Sequence, residues 1–249
     1  YVHLLPALVP PGALRGGVAV VIDILRATTV MAHGLDAGAE AIVPCLNVEQ
    51  ALATADRIGR DRALLAGEVR GEPIPGFDLS NSPSQFTPDV CLGKTIVMTT
   101  TNGTKALLAS LEADRVIVGA FVNSAALVHT LRSERRPIHL VCSGTDGNVS
   151  FEDTLFAGEL AEALHGGGPP SGNDSVLIAR SLIRDRWLSI DRESPDRDAE
   201  FARILELGRG GKRNLELGLR ADVTACARWD RFDLVGELRR EPLAVVRVS

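Results

Sequence analysis

The chain has 249 residues, of which 45% are apolar and 24% charged, proportions of a globular fold and not of a disordered, collagenous or membrane-spanning chain. Its 27 Lys and Arg against 32 Asp and Glu leave a net charge of −5, so no global field draws it to nucleic acid or to an anionic lipid surface. A chain of this length buries enough apolar surface to fold without disulfide or metal staples, so any metal is expected to serve chemistry.

Taken in chain order, residues 2–9 are too short an apolar run, and too interrupted by Pro6, to read as a signal peptide. Residues 18–24 form a continuous β-branched run, the pattern of a strand buried on both faces, followed by the polar turn Arg26-Ala27-Thr28-Thr29 and a small-residue helix. The unit of strand, polar turn and helix recurs. Residues 95–98 lead into the turn 99–104 and a helix from about Lys105, and residues 138–141 lead into the turn 142–147. A gap-free match at an offset of 75 sets the strand ending at Val43 on the strand ending at Val118, each continuing through an Asn (Asn47, Asn123) into an Ala-rich helix. Duplication of a βαβ unit and convergence of two such units both account for it.

Residues 66–89 are crowded with Gly, Pro, Asn and Ser and exclude a regular helix; Ile74, Phe77 and Leu79 predict an ordered loop packed over the body of the fold. The Gly166-Gly167-Gly168-Pro169-Pro170 run reads as a helix stop with its following loop. Helices are expected over 175–187 and 199–208, with a charged, solvated turn over 191–198 between them. Alternating buried strands and helices predict a single domain over 1–249: a three-layer α/β/α fold with a mostly parallel or mixed sheet, built from two similar βαβ halves if the repeat is real. In such sheets ligands bind at the carboxyl ends of strands, so the three polar turns are expected to gather on one rim.

Those turns carry the chemistry. Thr99, Thr100, Thr101, Asn102, Gly103 and Thr104 present hydroxyls and backbone N–H groups to an anion at a helix start, with Lys105 adding charge. The turn lacks the GxxxxGK[ST] pattern, so ATP is not implied. Asp23 ends the first buried strand and can bind a hard cation or accept a proton, while Arg26 can grip an anionic substrate or close the turn on Asp23. Glu68 and Arg70 are expected in the same cleft, with Asn81 and Ser82 following in the long loop. Gly144 lies in a glycine-rich turn, Asp153 opens the next helix as a further metal-ligand candidate, and Cys142 is a candidate nucleophile or a core thiol. The other cysteines, Cys45, Cys91 and Cys226, are equally far apart, with no CxxC and no neighbouring His pair, which fits reduced thiols in a cytoplasmic protein. The histidines do not cluster, which argues against a His-based zinc hydrolase.

Five motifs in order, Asp23-Ile24-Leu25-Arg26-Ala27-Thr28-Thr29, Gly67-Glu68-Val69-Arg70-Gly71, Gly76-Phe77-Asp78-Leu79-Ser80-Asn81-Ser82-Pro83, the threonine turn 99–104, and Cys142-Ser143-Gly144-Thr145 with Phe151-Glu152-Asp153-Thr154, resemble the 2-phosphosulfolactate phosphatase family over residues 1–235. The family typically reads Gly-Glu-Arg where this chain reads Gly67-Glu68-Val69-Arg70. The resemblance implies Mg²⁺-dependent hydrolysis of 2-phosphosulfolactate to 3-sulfolactate, a step of coenzyme M biosynthesis. Independently of the resemblance, the chemistry of the residues puts Asp23, Glu68, Arg70 and Cys142 among catalytic candidates, a metal on Asp23 with Glu68 or Asp153, and Arg26 and Arg70 on the sulfonate or carboxylate of the substrate. Substrate contacts fall to Arg26, Thr28, Asn81, Ser82, Thr100, Thr101, Asn102, Gly103, Thr104 and Gly144. The competing readings are a phosphatase for another small phosphorylated hydroxy acid and a non-catalytic module that binds an anionic metabolite. Neither a membrane nor a nucleic acid is an expected partner, and self-association into a homo-oligomer is left open.

Overall fold

The computed structural model describes residues 1–165, 171–187, 190 and 194–248. The glycine-proline run 166–170 and part of the charged turn over 191–198 lie outside the described residues. Ten strands form one mixed sheet. In chain order these are β1 (Val2–His3), β2 (Val18–Ile22), β3 (Ala41–Pro44), β4 (Ala63–Val69), β5 (Glu72–Pro73), β6 (Thr95–Thr99), β7 (Arg115–Gly119), β8 (Ile138–Cys142), β9 (Gly236–Arg240) and β10 (Leu243–Arg247). Their order across the sheet is β1-β8-β2-β7-β9-β10-β3-β6-β4-β5.

Two β-α-β-α-β units are interleaved in that order. The first runs β2, α1 (Ala27–Asp36), β3, α2 (Val48–Ile58), β4; the second runs β6, α4 (Gly103–Ala109), β7, α5 (Ser124–Arg132), β8. Each unit lends its first strand to the other: β2 pairs in parallel with β7 and β8, and β6 with β3 and β4. The β9–β10 hairpin joins the halves through antiparallel pairings to β7 and β3.

This junction changes the expected sheet. Three successive antiparallel neighbours make β3, β6 and β4 enter the sheet opposite in sense to β2, β7 and β8. Neighbouring strands turn by roughly 20–25°, and five such steps from β2 to β6 accumulate to roughly 100–125°. That rotation swings the ends of β4 and β6 towards the ends of β2 and β8, so the polar turns meet through twist as well as through parallel pairing.

Strand alternation divides the core. Ala19, Val21, Val116 and Val118 pack with Ile42, Ile96 and Met98 around Val30, Met31 and Leu35 of α1 and Ala106 and Leu107 of α4, one continuous cluster shared by both halves. On the opposite face Val20, Ile22, Ile117 and Leu140 bury against Phe121, Phe156 and Phe201, whereas Leu65 and Val97 bury against Ala51 and Ala55 of α2. Helices thus cover both faces, a three-layer α/β/α arrangement. Helix α6 (Phe151–Leu164) follows β8, and α7 (Asp174–Trp187), α8 (Arg197–Leu205), α9 (Arg209–Glu216) and α10 (Arg220–Cys226) follow before the hairpin. Among the described residues, no helix is long and apolar enough to cross a membrane.

The long loop is ordered, as Leu79 and Phe77 predicted. Leu79 is buried and bridges Ala66 of β4, and Phe77 packs on the α2 side. The short helix α3 (Pro88–Cys91) ends it.

Candidate active site

A narrow cleft of about 50 Å³ opens where the turns meet, lined by Asp23, Arg26, Glu68, Arg70, Asn81, Thr101 and Asn102 from the two units and by Gly210, Arg213 and Asn214 from α9. Water occupies about 30 Å³ per molecule, so the space suits an ion or a phosphoryl group, and a larger substrate must extend outward.

Asp23 leaves β2 with its carboxylate turned back onto the next helix, Oδ1 accepting the Ala27 N–H at 3.1 Å. The Thr28 hydroxyl is spent on backbone: it accepts the Asp23 N–H at 2.9 Å and faces the Gly119 carbonyl at 2.8 Å, which puts Thr28 behind the cleft wall. Burial pushes the Asp23 carboxyl up to about 6; Ala27 and Ser143 hydrogen bonds hold the rise back, the Glu68 charge adds to it, and Arg26 opposes it. Asp23 Oδ2 lies against Gly103, where an added Cβ would sit 2.8 Å from it and 2.5 Å from Ala27 Cβ. Only glycine lets the two turns approach so closely.

The threonine turn does hold an anion, and the anion is Glu68. Thr101 donates its N–H to Glu68 Oε1 at 2.7 Å and its hydroxyl to Oε2 at 3.0 Å, and Gly71 N–H donates to Oε2 as well. Thr100 and Thr104 close the turn on each other: Thr104 N–H donates to Thr100 Oγ1 at 3.1 Å and Thr100 N–H to Thr104 Oγ1 at 3.2 Å. Asn102, at the cap of α4, makes no capping bond and faces the cleft. Arg70 adopts φ 52°, with its N–H on Thr101 Oγ1 at 3.0 Å and its carbonyl accepting Arg213 Nη2 at 2.5 Å. Its guanidinium has no ion pair among the described residues.

Arg26 is not a free anion grip. Its guanidinium is buried on Asp222 of α10, side-chain exposures being 3% and 6%, and also reaches the Gly71 carbonyl at 3.3 Å. Ser82 donates to the other Asp222 oxygen at 2.6 Å, so it steadies that ion pair from behind. Asn81 Oδ1 is buried in the cleft wall without a hydrogen-bond partner.

Asp153 and Cys142 stand apart. Asp153 Oδ1 accepts Ile24 N–H at 2.9 Å, while Oδ2 accepts Gly144 N–H at 3.0 Å and the Ser143 hydroxyl at 3.1 Å. Burial, with the Asp23 and Glu152 charges, raises its carboxyl well above the usual range. Among the described residues, no three His, Cys, Asp or Glu side chains converge on a point that could hold a metal, so Asp23, Glu68 and Asp153 do not form one ligand set. Cys142 is fully buried and packs in the core, and burial next to Asp153 and Glu152 pushes its thiol well up, keeping it protonated.

Three residues that sequence reasoning left out belong to this region, Asp222, Arg213 and Asn214, and Glu152, quoted there only within a motif, joins them. Asn214 Oδ1 and Glu152 Oε2 are buried without partners. The available signal was the glycine cluster Gly208, Gly210 and Gly211. A Cβ on Gly210 would sit 1.9 Å from Glu152 Oε1, and one on Gly211 2.0 Å from the Leu205 carbonyl, so these glycines let α9 close over the site.

The 2-phosphosulpholactate phosphatase family model matches residues 3–241. A probable 2-phosphosulfolactate phosphatase of Clostridium beijerinckii is 41% identical over 226 residues, covering 91% of this chain and 90% of that protein. Proteins of the same description from Symbiobacterium thermophilum and Caldanaerobacter subterraneus subsp. tengcongensis are 38% and 36% identical, covering 88% and 92% of this chain and 90% of each relative. The chain belongs to the 2-phosphosulpholactate phosphatase family, a family of phosphoric monoester hydrolases.

Proposed function

We propose that this chain hydrolyses 2-phosphosulfolactate to 3-sulfolactate and inorganic phosphate with the help of Mg²⁺, in the cytoplasm, as a step towards coenzyme M. The observation that carries the reading is the pairing, in one narrow cleft, of two buried carboxylates, Asp23 and Glu68, with an orphaned amide oxygen, Asn81 Oδ1. Mg²⁺ takes one or two carboxylates, further oxygens and the substrate's own phosphate, and these three side chains fit it as holders. Asp153 fits less well, because it does not line the cleft and is enclosed by Ile24, Ser143 and Gly144. When bound, the cation supplies neutralisation of charge on the phosphoryl oxygens.

The remaining work falls to the protein. Glu68 is fixed by three donors from Thr101 and Gly71, so its position costs nothing at the moment of reaction. Asp23, held near the acid side of neutrality, is ionised at pH 7 and can take the proton of the attacking water. The water oxygen bonds to phosphorus as the ester P–O bond breaks, and the released alkoxide takes a proton from solvent to give the hydroxy acid while Asp23 returns to solvent the proton it took, which restores the base. Arg70 and Asn102 line the wall and hold the substrate as its phosphoryl group transfers. The four free, buried cysteines suit a reducing compartment.

Phosphate release measured on 2-phosphosulfolactate, phosphoglycolate and 2-phosphoglycerate, with Mg²⁺ or with chelator, tests the proposal. Preference for the sulfonate substrate and dependence on the cation are expected. Equal rates on all three substrates would remove the sulfonate assignment, and full activity in chelator would remove the cation.

A further inference from the structure

Three arginines reach the cleft, and they are not equivalent. Arg26 is neutralised by Asp222 in a buried pair. Arg70 and Arg213 have no acidic partner among the described residues. Arg213 rises from α9 and donates Nε and Nη2 to the Arg70 carbonyl at 3.2 and 2.5 Å, which leaves the Nη1 edge of its guanidinium uncommitted. It lines the cleft and also two more open grooves that share it as a wall, one beside Asp146, Arg209, Lys212 and Glu216 and one beside Val69, Glu72 and Ile74. Arg213 therefore stands at the mouth through which any part of a substrate too large for the narrow inner space must extend.

We infer that Arg213 is a specificity-determining residue that pairs with a permanently charged acid group, a sulfonate, on the part of the substrate that does not transfer. The inference rests on the phosphatase reading proposed above. An arginine presents a rigid planar fork with donors to spare, and an anchored one loses little freedom on binding an oxyanion. The anchor here is a backbone carbonyl, which fixes the guanidinium without cancelling its charge. Arg70 alongside it doubles the local positive charge, and it is nearer in sequence to Glu68 and the reacting end of the cleft. The arrangement reads a substrate with a phosphate ester inside and a strong acid at the mouth.

The test compares wild type, Arg213→Met and Arg213→Lys on 2-phosphosulfolactate and on 2-phospholactate, which replaces the sulfomethyl group by methyl, with thermal unfolding of each variant as the check on folding. The expected result is that Arg213→Met loses roughly 10- to 100-fold in kcat/KM on the sulfonate substrate, the worth of a charge-assisted pair, carried mainly by KM. The loss on 2-phospholactate should be at least about tenfold smaller, and Arg213→Lys should recover part of the selectivity. Equal losses on both substrates would make Arg213 only a clamp on the Arg70 turn, and no loss on either would leave it without a role; each outcome overturns the inference. If wild type hydrolyses neither ester, the phosphatase reading fails first, and calorimetric binding of 3-sulfolactate against lactate then decides. Wild-type preference for sulfolactate that Arg213→Met abolishes sustains the inference, and its absence ends it.

Discussion

The two β-α-β-α-β units build their loops in the same way and use them differently. In the first unit the strand-to-helix turn after β2 carries Asp23, whose Oδ1 takes the Ala27 N–H; in the second, the turn after β6 carries Thr100, whose Oγ1 takes the Thr104 N–H. Each turn also offers a backbone N–H to a carboxylate: Thr101 to Glu68 and Ile24 to Asp153. Glu68 lies near the end of β4 and lines the open cleft, whereas Asp153 reaches in from α6 and is sealed behind Ser143 and Gly144. One clamp therefore faces the open cleft and the other is closed off inside the fold. Function depends on which carboxylate the cleft leaves uncovered, because hydrogen-bond geometry alone is nearly the same in both.

Asp23 should give the largest effect, since no side chain in the second unit can replace it. Asp23→Asn is expected to cut kcat by about 10²- to 10⁴-fold, the usual worth of a general base, while the metal-free protein becomes more stable at pH 7. The sign follows from the raised folded-state pKa of about 6: the folded state holds its proton more tightly than the unfolded chain, so ionised Asp23 weakens the fold above that range. A variant that lost activity and also unfolded earlier in chelator would place Asp23 in the framework instead. Glu68→Gln follows, with a loss of about 10²-fold, because the amide nitrogen cannot accept from the Thr101 hydroxyl or the Gly71 N–H.

Which parts of this were legible in the sequence follows from how local their causes are. The run at 18–24 announced β2 because β-branched residues buried on both faces leave a continuous pattern, although the strand ends at Ile22, where Thr28 takes the next N–H. The threonine turn reads as a cradle for a substrate anion; in the structure Thr101 gives its N–H and hydroxyl to Glu68, 33 residues away, a partner that only the fold brings to it. The helix expected from Lys105 starts at Gly103, since the reciprocal Thr100–Thr104 bonds close the turn earlier. For Arg26 the sequence offers an anionic substrate or the nearby Asp23; the partner it takes, Asp222, lies 196 residues on, in a helix without a motif. Arg213 and Asn214 were hidden for the same reason: they become site residues only when α9 docks, and docking depends on glycines whose meaning is close approach to Glu152. The antiparallel hairpin that reverses one half of the sheet has no counterpart in the repeated pattern.

The second unit's side of the comparison sharpens with pH. Burial is the first cause that raises Glu152, to about 7, and Asp153 and Asp23; the Asp23 charge adds to the rise of Glu152 and Asp153, the Glu152 charge to that of Asp153, and the Glu68 charge to that of Asp23. Below their unfolded values all are protonated in both states and cost nothing; as pH rises towards 7 the unfolded chain ionises first and gains stability. These acids therefore work to make unfolding of the chelator-treated protein easier between about pH 4 and 7, while His33 and His139, lowered to about 4 by burial, work in the opposite sense over the same range; Glu152→Gln isolates the acid part and should remove on the order of 3 kcal/mol of it by about pH 7, the linkage equivalent of its shift. A Glu152→Gln variant whose melting temperature follows pH as wild type does would break the account. Asp153→Asn should cost about 1–3 kcal/mol by leaving a buried donor unsatisfied, with kcat at low temperature within a few-fold of wild type. Activity lost from Asp153→Asn with stability intact would exchange the roles assigned to the two clamps.

Cys142 supplies the smallest expected effect and the cleanest separation between a core position and a reactive one. It ends β8 in register with Ile22, one residue before Asp23, so the chain passes within one position of the reacting group. Strand alternation decides the rest: successive side chains point to opposite faces, and Cys142 faces the apolar cluster with Ile22 while Asp23 lines the cleft. A thiol becomes a nucleophile when a nearby cation or helix start stabilises its thiolate, and here burial and two acidic neighbours do the reverse. Cys142→Ala should therefore keep kcat and KM within about twofold, lose on the order of 1 kcal/mol for the missing sulfur in a packed core, and leave resistance to thiol-alkylating reagents in the native state unchanged. Trapping of phosphate on Cys142, or loss of turnover in the alanine variant at unchanged stability, would move the chemistry across the strand and dissolve the division between the two faces.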